Sequence, residues 1–168
     1  MIKERKPNRL QGYDYSQDNL YFVTSCVKNK VCCFGIICHG EMKPNNYGQI
    51  AEKQWHWLGE QYPYIVLHAF VVMPNHIHGI IEINRSVVVG TGRDLSLQSK
   101  IKSLSELMGA YKTAVSKQIH LIDFPEFVWQ RSFHDHIIRN EESYQNIINY
   151  ILNNPSIWEK DELYNHGK

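Results

Sequence analysis

The spacing of apolar residues changes several times along this chain, and each change marks an element. Tyr21 to Val27 is rich in aromatic and β-branched residues and predicts a strand. Cys32 to Met42, broken at His39-Gly40, predicts a short hairpin, and Pro44 to Gly48 is turn chemistry. From Gln49 to Gln61 the period becomes helical. Ala51, Trp55 and Leu58 recur at i, i+4 and i+7, Ile50 and Trp57 widen the stripe, and Pro63 ends it. Tyr64 to Ile83 holds two apolar runs joined at Pro74-Asn75, which predicts an antiparallel pair of strands. Residues 85–102 show no period and carry Gly90, Gly92 and several serines, so a loop is expected. Ser103 and Glu106 form a capping box ahead of a helical stripe of Leu104, Leu107, Met108, Tyr111 and Val115. Phe127 to Ile138 predicts another strand, with Trp129, Phe133 and Ile137 at even spacing. Asn140, followed by Glu141 and Glu142, starts a last helix that runs to about Asn153, before Pro155.

With the small hairpin set aside, the order is β-α-β-β-α-β and a final helix. This is the ferredoxin-like split βαβ arrangement of the α+β class: an antiparallel sheet with helices on one face and a C-terminal helix added. Residues 1–19 are polar and read as an arm leading into a single domain over 1–168.

Composition narrows the class without naming a function. A chain of 168 residues, 43% hydrophobic and 21% charged, is ordinary for a globular protein. No apolar run approaches the ~20 residues of a membrane span. The first residues lack the apolar stretch of a signal peptide, so a cytoplasmic location without membrane contact is expected. Cys26, Cys32, Cys33 and Cys38 contain no C-x-x-C pair and read as free thiols in a reducing compartment. Net charge is only +1, but Lys3, Arg5, Lys6 and Arg9 crowd the start. Arg85, Arg93, Lys100, Lys102, Lys112 and Lys117 make the middle basic, and Glu141, Glu142, Glu159, Asp161 and Glu162 collect late. Such a distribution suits a polyanionic partner. By itself, a solvated surface of mixed charge explains it better.

Two constellations carry candidate chemistry. His76 and His78 flank Ile77 at the start of a predicted strand, so both imidazoles project from one face. They suit a cation or a phosphate, and a pair of packed strand histidines is an equal reading. On the last helix, Tyr144, Ile147, Ile148 and Ile151 form the core stripe, which leaves Tyr150 at its edge with Asn154 four residues on. A phenol is a potential nucleophile and a carboxamide oxygen a hard ligand. The plainer account is a half-buried tyrosine and a helix cap. His134 and His136 make a second pair of strand histidines, with Asp135 facing away. They read as structural or DNA-facing.

Taken together, these stretches resemble a family. Pro74-Asn75-His76-Ile77-His78-Gly79-Ile80-Ile81 is similar to the His-hydrophobe-His motif of HUH single-strand DNA nucleases. The stretch from Trp129 to Glu142, and Tyr150-Ile151-Leu152-Asn153-Asn154-Pro155, resemble the closing region of REP-associated tyrosine transposases. Arg9 to Tyr15 resembles the opening of one branch of them. The resemblance implies a ferredoxin-like fold and a divalent metal, Mg²⁺ or Mn²⁺, held by His76, His78 and Asn154. It implies that Tyr150 cuts single-stranded DNA at hairpin-forming repeats, through a 5′-phosphotyrosine link that a second 3′-OH can reverse. It leaves monomer and homodimer both open. DNA contacts are then expected from Arg5, Lys6 and Arg9 in the arm and from Lys112, Lys117 and Arg131. Two rivals use the same residues: a DNA-hairpin-binding protein whose catalysis has lapsed, and a metal-dependent hydrolytic phosphoesterase.

Overall fold

Strand β1 (Asn19–Cys26) sends Tyr21 and Val23 to one face and Leu20 and Phe22 to the other, and a different layer packs on each. In the computed structural model, which describes residues 9–89 and 101–164, β1 lies inside a four-stranded antiparallel sheet. The elements that follow in the chain are β2 (Gly35–Cys38), β3 (Glu41–Pro44), α1 (Asn46–Gln61), β4 (Ile65–Met73) and β5 (His76–Ile83). After them come a single helical turn α2 (Ser86–Val89), α3 (Leu104–Ile122), β6 (His134–Ile138) and α4 (Glu141–Asn153). The sheet order is β4-β5-β1-β6, and β2 and β3 pair as a separate hairpin. This is the α+β, ferredoxin-like order expected from the sequence.

Helices α1 and α3 cover the Tyr21 face. Their buried stripes, Ala51, Trp55 and Leu58 on one and Leu104, Leu107, Met108, Tyr111, Val115 and Ile119 on the other, meet Ile77, Ile81 and Ile83 of β5. Gly79 marks the closest approach: a Cβ there would stand 2.4 Å from the Trp55 ring, so only glycine lets α1 sit this near β5. Helix α4 covers the other face alone. Tyr144, Ile147, Ile148 and Ile151 pack there against Ile80, Ile138, Phe22 and Val71. Residues 76, 78 and 80 alternate with the core-facing 77, 79 and 81, so both histidines lie on the α4 side.

Two local boundaries differ from the sequence reading. Asn45 accepts hydrogen bonds from the Tyr47 and Gly48 N–H groups, so the predicted turn is an N-cap and α1 begins at Asn46. Only His134–Ile138 of the predicted Phe127–Ile138 strand is a strand, and a single bridge joins Val27 to Trp129 before it. The intervening segment is held by other bonds: Gln130 N–H donates to the Cys26 carbonyl, and Lys112 Nζ donates to the Gln130 and Arg131 carbonyls. Helix α4 ends at Asn153, before Pro155, as expected. A 3₁₀ turn, Asn154–Lys160, follows it directly, and Pro155 sits in its first residues, where a missing N–H matters least.

Candidate active site

The turn between β4 and β5 places His76 at the first residue of β5, where its backbone pairs with both Met73 and Cys26. Its imidazole is fully buried, and its Nδ1 lies 2.7 Å from Asn75 Oδ1. A carboxamide oxygen only accepts, so His76 Nδ1 carries the proton and Nε2 carries a lone pair. His78 is also buried, with Nδ1 2.7 Å from Thr24 Oγ1 on the neighbouring strand. The two Nε2 atoms face each other at 3.0 Å. Burial holds His76 well below the ordinary imidazole value, helped by the neighbouring His78 and Lys30 charges. Burial likewise brings His78 down to about 4, against the opposing pull of Asp161. Both imidazoles are therefore neutral at pH 7, the form that binds a cation.

Helix α4 delivers the phenol. Tyr150 Oη lies 3.4 Å from His78 Nε2, and the Tyr150 ring meets those of His78 and Phe22 edge-on. The residue as a whole is 40% exposed, so the hydroxyl reaches the buried pair while one side of the ring faces solvent. Burial raises the phenol above its ordinary value, the Asp161 charge adds to that, and the Asn154 amide opposes it. One turn on, Asn154 is fully buried; its Nδ2 donates to Asp161 Oδ2 at 3.0 Å, and its Oδ1 has no partner among the described residues.

Asp161 completes the cluster. A carboxylate oxygen of Asp161 and one ring nitrogen each of His76 and His78 all lie within 4.8 Å of one another. The tail that carries it is tied down on both sides: Leu163 N–H donates to Asp161 Oδ1, and Asn75 Nδ2 donates to the Leu163 carbonyl. Trp158 packs beside His76 at 5.8 Å between ring centres and is 7% exposed, closing that side.

This donor set fits a divalent cation. Two neighbouring ligands on an octahedral ion, each bonded at about 2.1 Å, stand about 3.0 Å apart. That spacing equals the gap between the two Nε2 atoms. The second ring nitrogens are tethered to Asn75 and Thr24, the outer support that orients ligating histidines. The orphaned Asn154 oxygen is a buried acceptor that a cation would satisfy.

No family model matches the sequence. An uncharacterized protein of Haemophilus influenzae is 38% identical over 174 aligned positions, covering 97% of this chain and 94% of that one. The chain belongs to that protein's family. Among solved structures it is similar to a REP-associated tyrosine transposase bound to a REP hairpin, with a TM-score of 0.60 and 19% identity over 88% of this chain and 72% of that one. It is also similar to a candidate transposase from Deinococcus radiodurans, with a TM-score of 0.50 and 16% identity over 86% of this chain and 95% of that one. At these identities the likeness is one of fold.

The fold thus brings together four residues singled out from the sequence, His76, His78, Tyr150 and Asn154. Asp161 went unread there, counted only among the late acids. Asn75 was read as a turn residue, yet it is fully buried and holds both His76 and the tail. The candidate DNA contacts are more scattered. Arg5 and Lys6 lie outside the described residues, as do residues 90–100 of the predicted loop. Arg9 is ion-paired with Asp135 at 3.6 Å, stands over the Phe133 ring and bonds Ser105. Lys112 holds the Gln130 and Arg131 carbonyls, while Lys117 and Arg131 are exposed on the rim of a groove floored by Phe127 and Trp129.

Among the described residues no helix is long and apolar enough to cross a membrane.

Proposed function

We propose that this protein is a single-tyrosine DNA transposase that cuts and rejoins single-stranded DNA at hairpin-forming repeats. The observation that carries the reading is the placement of Tyr150 Oη 3.4 Å from Nε2 of His78, one of two buried imidazoles that face each other. A shared fold with a transposase bound to a REP hairpin supports it.

His76 and His78, with Asp161 and the free oxygen of Asn154, would hold Mg²⁺ or Mn²⁺. When bound, the ion neutralises a phosphate oxygen and favours the phenolate. The chain's own residues do the rest. Asn75 and Thr24 fix the imidazole rings. Helix α4 brings the phenol to the phosphate, and Trp158 limits water on the His76 side. Attack forms a Tyr150 Oη–P bond and breaks the P–O3′ bond. The phenol loses a proton and the departing 3′ oxygen gains one. One phosphodiester replaces another, so a second 3′-OH reverses the step and joins strands without ATP.

Incubation with Mn²⁺ and a single-stranded DNA hairpin, followed by a denaturing gel, tests this. A metal-dependent covalent protein–DNA band, absent in Tyr150→Phe, is the expected result. Cleavage that survives Tyr150→Phe would make the protein a hydrolytic phosphoesterase using the His-His-Asp set with water. Binding without cleavage would make it a hairpin-binding protein only.

A further inference from the structure

The second pair of strand histidines plays no part in the chemistry above, yet it shares the face on which that chemistry sits. In the sheet register His134 stands opposite Thr24, and His136 opposite Phe22. Thr24 in turn stands opposite His78, and Phe22 opposite Ile80. A continuous row therefore runs from the metal site across β1 to the open edge of the sheet. The side chains of His134 and His136 are exposed and make no hydrogen bond or ring contact with any described residue.

Phe22 links the two ends of that row. Its ring stacks on His78 at 5.4 Å and 28°, and it meets the Tyr150 ring edge-on at 6.2 Å. Phe22 also lines a concavity of about 540 Å³, together with His136, Glu142, Asn146 and Ile147. This lining offers ring and aliphatic surface together with amide and carboxylate groups. It contains no lysine or arginine. A phosphate entering it would meet Glu142 and no fixed cation, whereas a nucleobase would find a stacking surface and polar groups for its edge.

We propose that this concavity is a nucleobase-specificity subsite. The base of an unpaired nucleotide next to the scissile phosphate stacks on Phe22 and His136, and its edge is read by Asn146 and Glu142. The carboxylate of Glu142 favours a base that presents an exocyclic amine. This rests on the single-strand cleavage proposed above and assigns that reaction a position at which sequence is read.

The test uses a DNA hairpin carrying a randomised single-stranded tail. The full-length protein is incubated with the pool and Mn²⁺, covalent adducts are isolated, and the captured strands are sequenced. Wild-type protein should show one position beside the cut at which thymine, the base without an exocyclic amine, is depleted about tenfold, the scale of one edge hydrogen bond. Glu142→Ala and Asn146→Ala change exposed side chains outside the catalytic cluster. They should flatten that position to near parity and leave preferences elsewhere unchanged. The same depletion in wild type and both variants would overturn the subsite, as would the absence of any preferred base beside the cut. Failure of the entire pool to form an adduct would count against the cleavage reaction itself, and the subsite would fall with it.

Discussion

Tyr150 Oη stands 3.4 Å from His78 Nε2, close enough to share a ligand with it and raised too high in pKa to act alone. Burial and the Asp161 charge hold this phenol above the ordinary tyrosine value, so in the metal-free protein it should ionise at higher pH than an exposed tyrosine. A difference titration at the phenolate absorbance, wild type minus Tyr150→Phe, isolates one of the ten tyrosines. Adding Mn²⁺ should move that single step downward. A step that ignores Mn²⁺ would separate the phenol from the metal site.

Asp161 is the cluster's only carboxylate within 4.8 Å of both imidazoles, among the described residues. Asp161→Asn keeps the shape and removes the charge. By calorimetry it should weaken Mn²⁺ binding by at least about 10-fold, the scale on which losing even a group that supports a ligand is felt. Unchanged affinity would remove Asp161 from the site and leave the third ligand place to Asn154 alone.

Acid should unfold the metal-free protein through its histidines. His78 has an ordinary value of 6.5 when exposed and about 4 in the fold. Between those two values the unfolded chain binds the proton first, so stability falls as pH drops through that window and is unaffected above it. From His78 alone the full loss is about 3 kcal/mol, and His76 acts in the same direction. Denaturant midpoints measured from pH 7 to pH 4 should show this slope, and His78→Gln should reduce it. Equal slopes in the two proteins would contradict the buried, neutral imidazole.

A second histidine holds α4 to the sheet. His68 lies with Nδ1 2.7 Å from Tyr144 Oη and Nε2 2.8 Å from Glu82 Oε2. Tyr144→Phe deletes one bond of this chain and should lower stability by about 1 kcal/mol. Because α4 carries Tyr150, the same change should also slow adduct formation. Thermal unfolding and single-turnover kinetics on the one variant check both. Normal kinetics in a destabilised variant would show that the relay does not position the nucleophile.

What was legible in the sequence followed from periodicity. Helical angle alone separates Tyr144, which packs, from Tyr150, which does not. Strand alternation alone puts His76 and His78 on one face. Asp161 was hidden because its approach depends on a 3₁₀ turn and on Asn75 binding the Leu163 carbonyl, neither of which has a repeating pattern. The Phe127–Phe133 segment misled for a related reason. Its apolar residues are buried at even spacing, but Lys112 takes the carbonyls of residues 130 and 131, and β6 begins only at His134. Burial pattern reports which side chains face inward; it does not report where the backbone groups find partners.

The most direct test of the central claim is to locate the covalent bond. The full-length protein is incubated with Mn²⁺ and single-stranded hairpin DNA, digested with nuclease and protease, and examined by mass spectrometry. The nucleotide should be found on the peptide containing Tyr150, joined through a phosphotyrosine. A nucleotide on Tyr144 or any other residue, or cut DNA with no modified peptide, would contradict the assignment of Tyr150 as nucleophile.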